Sequence, residues 1–283
     1  MKPTRKQIWT IAYPILISLL MENMIGLTDT AFLGRVGEVE LGASALGSVY
    51  YLVIFMLGFG FGIGAQILIA RRNGEKAYDL IGPLFQQGLL FLLSLAAVMF
   101  VISHTFTPMV LRSLISSDEV YEAAVSYTNW RVFGFFFAFV AIMFRAFFVG
   151  ITNTKTLTLN SIVMVLSNVV LNYVLVFGKL GLPAMGIAGA AIASSASEMI
   201  SMVFFIVYTR LRIDHRKYGL FRFAGFSPKL LRGMLNVSVW TMIQMFVAIS
   251  TWFFFFIAVE HLGERPLAVT NIIRSVSGIV FVI

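Results

Sequence analysis

The chain has 283 residues, 59% of them apolar and only 12% charged, with a mean hydropathy of +0.90. Soluble domains are about half apolar and about a quarter charged, so the expected solvent is lipid, which excludes a disordered chain, a nucleic-acid-binding module and most soluble enzymes. The net charge of +8 then reads as Lys and Arg gathered in cytoplasmic loops rather than as a nucleic-acid footprint.

A hydrocarbon core about 30 Å thick needs roughly 20 apolar residues in a helix. Eight segments meet or approach that length. The first, Ile8–Leu33, carries Pro14, Glu22 and Asp29. It is too long and too acidic for a cleaved signal peptide, and Pro14 predicts a kink that could be static or act as a hinge. The second, Gly42–Ala70, contains Gly58, Gly60, Gly62 and Gly64. These form two interleaved Gly-xxx-Gly pairs, and inside an apolar span they predict close helix packing, not a dinucleotide loop. The third is Leu80–Ile102. The fourth, Tyr121–Val149, opens with an amphipathic turn, and its apolar part begins near Val132. The fifth, Leu157–Phe177, carries Asn168 and Asn172, and the sixth, Ala184–Tyr208, carries Ser194 and Glu198. Met234–Val259 and Pro266 to the end complete the set. Continuous apolar runs of this length do not alternate with the period of two that a lipid-facing barrel requires, so the predicted architecture is an all-α integral-membrane bundle.

Lys and Arg set the orientation. With the N-terminus inside, fourteen fall in inner segments and four (Arg35, Arg112, Lys179, Arg265) in outer loops, while Arg131, Arg145 and Arg274 lie within spans. This bias predicts a multi-pass protein of the cell membrane with a cytoplasmic N-terminus. The basic stretch Arg210 to Arg232 joins the sixth and seventh spans as a topology anchor, with contact to anionic lipid as the alternative. The expected division is a six-helix lobe over 1–208, a cytoplasmic linker over 209–232 and the start of a second lobe over 233–283. The sequence stops in mid-run at Ile283, which predicts a fragment. Gly37-Glu38-Val39-Glu40-Leu41 and Gly263-Glu264-Arg265-Pro266-Leu267 sit at equivalent places six spans apart. This suggests a parallel repeat, hence twelve helices in a full-length parent.

Charges at bilayer depth cost roughly 2.5–3.5 kcal/mol each on insertion scales, so each needs a reason. Glu22 and Asp29 are two helical turns apart and share a face, as do Asn168 and Asn172, and Ser194 and Glu198. The three faces could line one cavity. The functional reading is a proton or Na⁺ site, with a carboxylate that loads and releases the ion and neutral oxygens that assist it. The structural reading is interhelical hydrogen bonding. No Cys is present, and His104, His215 and His261 are far apart, so neither a thiolate nor a histidine metal cluster is expected, and no nucleophile–base pair suggests an enzyme.

Several stretches resemble the multidrug and toxic compound extrusion (MATE) family of antiporters. They are Tyr13-Pro14 with Leu27-Thr28-Asp29-Thr30, Arg71-Arg72-Asn73-Gly74-Glu75, Arg145 to Thr156, and above all Asn168 to Tyr173 followed by Gly181-Leu182-Pro183 through Ser194. The resemblance implies two six-helix lobes around a cleft that opens to alternate sides. It implies export of cationic or amphipathic small molecules in exchange for H⁺ or Na⁺, by a monomer in membrane lipid and without a cofactor. Asp29 corresponds to the family's coupling aspartate, and Asn168, Asn172 and Ser194 to its polar partners. Na⁺ would sit at Asp29, Asn168 and Asn172. Some members have an aspartate where Asn172 stands, and others a glutamate near Gln244, a candidate substrate contact here. Glu22 and Glu198 stand where neutral residues are expected, so Asp29 shares the charge with one of them. A lipid-linked oligosaccharide flippase of related fold is the alternative, but it calls for a broad basic patch, and only Arg131 and Arg145 lie among the early spans.

Overall fold

A computed structural model describes residues 5–222 and 225–280. Lys2, positions 223–224 of the expected linker and the last three residues of the eighth span lie outside the described residues. The described residues are helical almost throughout and contain no strand: α1 Arg5–Leu33, α2 Glu38–Gly74, a 3₁₀ turn Tyr78–Leu80, α3 Ile81–Leu114, α4 Asp118–Arg131, α5 Gly134–Gly150, α6 Lys155–Phe177, α7 Gly186–Arg212, α8 Pro228–Glu260 and α9 Glu264–Val280.

The boundaries follow local chemistry. Ser117 caps α4 by accepting from the Val120 N–H at 3.3 Å, with Asp118 and Glu119 in the first turn. Ser227 caps α8 in the same way, with Pro228 in its first turn, where no N–H is needed. Acids open α2 (Glu38, Glu40) and arginines close it (Arg71, Arg72), matching the helix dipole. Gly178 ends α6 at φ 65°, and a side chain there would collide with the Ala184 backbone, so only glycine fits.

Six of these helices are long and apolar enough to cross a membrane, or seven when α4 and α5 count as one span. The fourth expected span is therefore not one rod. It breaks after Arg131, and α4 and α5 meet at 50°. The amphipathic α4 carries several polar groups, whereas α5 is apolar apart from Arg145. The remaining expected span is α9, with 17 described residues.

At the centre, α2 uses both glycine pairs. Side chains two residues apart on a helix point about 200° apart, so the pairs serve opposite neighbours. Methyl groups at Gly58 and Gly62 would strike Phe139 and Ile142 of α5, and methyl groups at Gly60 and Gly64 would strike Met242 and Ser238 of α8. Behind α5, Phe85, Phe144 and Phe205 stack at centroid distances of 5.0–5.8 Å into an aromatic core. The chain between α7 and α8 is tied to α3 by buried glutamines. Gln87 accepts from the Ser227 N–H at 3.1 Å and donates to the Gly225 carbonyl at 2.6 Å. At the opposite end of the bundle the buried Glu260 accepts from the Ser116 and Ser117 N–H groups at 3.0–3.1 Å. The two repeat segments occupy matching places, opening α2 at Glu38 and α9 at Glu264. The helices they open also touch: Leu267 lies over Gly42, and Asn271 donates to the Leu41 carbonyl at 3.0 Å.

Candidate functional site

Facing surfaces of α1, α2, α4, α5, α6, α7 and α9 line an open cavity of about 590 Å³. Its ionisable side chains among the described residues include three acids, Glu22, Asp29 and Glu198, and three arginines, Arg131, Arg145 and Arg274. Each acid has a different environment.

Asp29 is half-buried on α1 and faces α6 and α7. Its Oδ1 accepts from Asn172 Nδ2 at 2.7 Å and from Asn168 Nδ2 at 3.3 Å, and its Oδ2 accepts from Ser194 Oγ at 2.8 Å. The two asparagines have no solvent exposure and form the wall behind the carboxylate. Their four-residue spacing stacks them on one face of α6, so Asn172 Nδ2 also reaches Asn168 Oδ1 at 3.1 Å. Among the described residues Asp29 has no ion-pair partner, and Asn172 Oδ1 is buried without a hydrogen bond. The carboxylate is thus held by three neutral donors, beside one spare acceptor.

Glu198, one helical turn along α7 from the Ser194 level, meets Arg131 at the last turn of α4. The pair is bidentate, with Nη1 to Oε2 at 2.9 Å and Nη2 to Oε1 at 2.5 Å. Tyr51 donates to the same carboxylate at 3.0–3.1 Å, its ring lies 3.5 Å below the guanidinium carbon, and Phe135 stacks beneath it at 4.7 Å. Gly134, the first residue of α5, leaves the room this cluster needs, because a methyl group there would collide with Arg131 and Glu198. Glu22 pairs with Arg145 of α5 at 2.5 Å and accepts from Ser18 at 3.2 Å, and Ser18 is linked to Ser161 of α6 at 2.7 Å.

The structure therefore brings Asp29, Asn168, Asn172 and Ser194 into one cluster, and it sets Glu22 and Glu198 elsewhere on the same cavity, each on an arginine. It does not bring Gln244 to the cavity. With Met242 turned toward α2, a residue two positions on points away, and Gln244 is exposed. The arginines were the missed partners. Their signal was present in the sequence, since three arginines within spans balance three acids within spans. No group of three or more His, Cys, Asp or Glu that could hold a metal ion occurs among the described residues. With Arg131 and Arg145 occupied by glutamates, no broad basic patch lines the cavity among the described residues.

Comparison with known proteins places the chain in a family. The MatE sequence profile matches residues 14–174. The chain is 24% identical over 281 residues to a probable multidrug resistance protein NorM of Mannheimia succiniciproducens, covering 98% of this chain and 60% of that protein. It is 28% identical over 240 residues to one of Synechocystis, covering 84% and 51%. The chain thus spans about 60% of the length of the first of these relatives. Among solved structures, an inward-facing multidrug resistance MATE family transporter of the MOP superfamily superposes with a TM-score of 0.77 at 20% identity, over 96% of this chain and 63% of that one. An outward-facing one gives 0.77 at 19%, over 98% and 68%. At these identities the structural likeness shows a shared fold. The profile match covers more than half of the sequence, and the chain belongs to the MatE family.

Proposed function

We propose that this protein is part of a cation-coupled exporter of cationic or amphipathic small molecules, without enzymatic activity, in which Asp29 is the ion-loading group. The reading rests on one observation: Asp29 is the cavity acid that lacks an ion-pair partner among the described residues. Glu22 and Glu198 are already neutralised at 2.5 Å by arginines, so a proton or Na⁺ arriving there would have to break an ion pair. One arriving at Asp29 breaks no ion pair among the described residues, since the carboxylate's hydrogen-bond partners are neutral.

The three donors explain how occupancy could be felt. An ionised carboxylate accepts from Asn172, Asn168 and Ser194 at once. A protonated one must donate, and an acceptor must appear opposite it. The Ser194 hydroxyl can rotate from donor to acceptor, or the Asn172 amide can turn its spare Oδ1 inward. For Na⁺ the same rotation supplies oxygen ligands beside Asp29. Either event rearranges bonds that join α1 to α6 and α7. Pro14 gives α1 a place to respond: it cannot donate to the carbonyl one turn earlier, and its own carbonyl is held by Thr158 of α6 at 2.9 Å. Exchange then needs only that ion and substrate prefer different packings of α1. In this reading the N-terminus is cytoplasmic and the protein acts in the cell membrane. Helices α1–α7 form the first lobe, and α8 and α9 open the second. The flippase alternative is not favoured, since two of the three cavity arginines are taken by glutamates.

The test is dye efflux from vesicles containing this protein, under an imposed pH gradient and separately under an imposed Na⁺ gradient. One gradient should drive efflux, and Asp29→Asn should abolish it. Undiminished efflux from Asp29→Asn would overturn the role given to Asp29.

A further inference from the structure

Arg274 of α9 is the remaining charge in the cavity, and it has no carboxylate partner among the described residues. Its Nη2 donates to Asn271 Oδ1 at 3.1 Å, its carbon lies 5.6 Å from the Phe256 ring, and its Nε is buried with no hydrogen bond. Asn271 is itself fixed, since its Nδ2 donates to the Leu41 carbonyl at 3.0 Å, which turns Oδ1 toward the guanidinium. The fork is therefore aimed by a neighbour and largely unspent: among the described residues one of its five N–H groups is used. A buried guanidinium N–H without an acceptor is costly, and evolution can keep it where a ligand supplies the acceptor.

We infer that Arg274, aimed by Asn271, is an anion-recognising subsite of this cavity, and that the transported molecules it selects carry a carboxylate in addition to their apolar body. A planar fork suits a carboxylate, which can take two N–H groups at once. A single guanidinium, with the other two occupied, suits one carboxylate better than a multiply charged phosphate chain. The inference rests on the cavity being the substrate site proposed above. It adds that the ligand's acidic group faces α9 while the ion site lies on α1.

The probes are a rhodamine dye with a free carboxylate and its methyl ester, which share size and aromatic body. Binding to the purified protein in detergent is read by fluorescence polarisation. The wild type should bind the acid about tenfold or more tightly than the ester, the usual worth of a charge-assisted bond. Arg274→Gln should remove that preference. Equal affinities in the wild type, or a preference that survives Arg274→Gln, would overturn the subsite while leaving the exporter reading intact. Binding of neither dye by the wild type would overturn the ligand cavity and both readings with it. Should Arg274→Gln lose the ester too, Arg274→Lys decides. This variant keeps the charge but not the fork. A preference reduced by about threefold or more supports the subsite, and an unchanged one overturns it.

Discussion

Breaking the Arg131–Glu198 pair should cost more stability than any other charge change in the cavity. The two side chains are 10% and 14% exposed, the bond is bidentate, and the guanidinium rests 3.5 Å above Tyr51. Substituting Glu198 by Gln leaves the guanidinium fixed on the aromatic ring without a counter-charge. Substituting Arg131 by Met leaves the carboxylate with Tyr51 alone. Removing one partner of a buried pair costs about 3–5 kcal/mol, whereas replacing both by apolar groups is often close to neutral. Each single variant should therefore lose about 3 kcal/mol or more, and Arg131→Met with Glu198→Leu should recover at least about 2 kcal/mol of the summed loss. The assay is a double-mutant cycle on equilibrium unfolding of the purified protein in mixed detergent. Singles that each cost under about 1 kcal/mol, or a double equal to their sum, would refute the reasoning, because the pair would then be behaving as a solvated surface contact.

Other substitutions probe the rest of the account. Gly60→Ala places a methyl carbon 2.7 Å from the Met242 Cα, where backbone cannot yield, and should cost about 1–3 kcal/mol in the same unfolding assay. Gly134→Ala should separate Arg131 from Glu198 and lower stability by a similar amount, and the loss should vanish in the Arg131→Met/Glu198→Leu background. Ser194→Ala removes one of three donors to Asp29 while both asparagines remain, so ion-driven efflux should fall by about tenfold rather than disappear.

The sequence carried most of the fold because lipid demands long apolar runs, and those runs are visible without any partner. Helix ends shifted by a few residues where caps such as Ser117 and Ser227 reached beyond the apolar stretch. The break after Arg131 was less legible. The amphipathic turn before Val132 marked a change of environment, but neither the 50° angle nor the contact of Arg131 with Glu198, 67 residues away, is written in local sequence. The cluster at Asp29 could be assembled in part, since four- and seven-residue spacings fix which residues share a face. Which faces meet is a tertiary fact. For the same reason the sequence left Glu22 and Glu198 as candidates to share the charge with Asp29 until their arginines were located, and left Gln244 as a possible substrate contact until the glycine pair of α2 fixed the rotation of α8. The two glycine pairs show both sides of this limit. Their spacing announced close packing, while the identities of α5 and α8 as the two neighbours lay outside local sequence.

Infrared difference spectroscopy of the purified protein, stepping pH and then adding Na⁺, reads carboxyl occupancy directly. A protonated-carboxyl band should appear as pH falls, diminish when Na⁺ competes for the same oxygens if Na⁺ is the coupling ion, and be absent from Asp29→Asn while persisting in Glu22→Gln. A band that remains in Asp29→Asn and is lost instead from Glu22→Gln would contradict the assignment, because loading would then occur at an ion-paired acid.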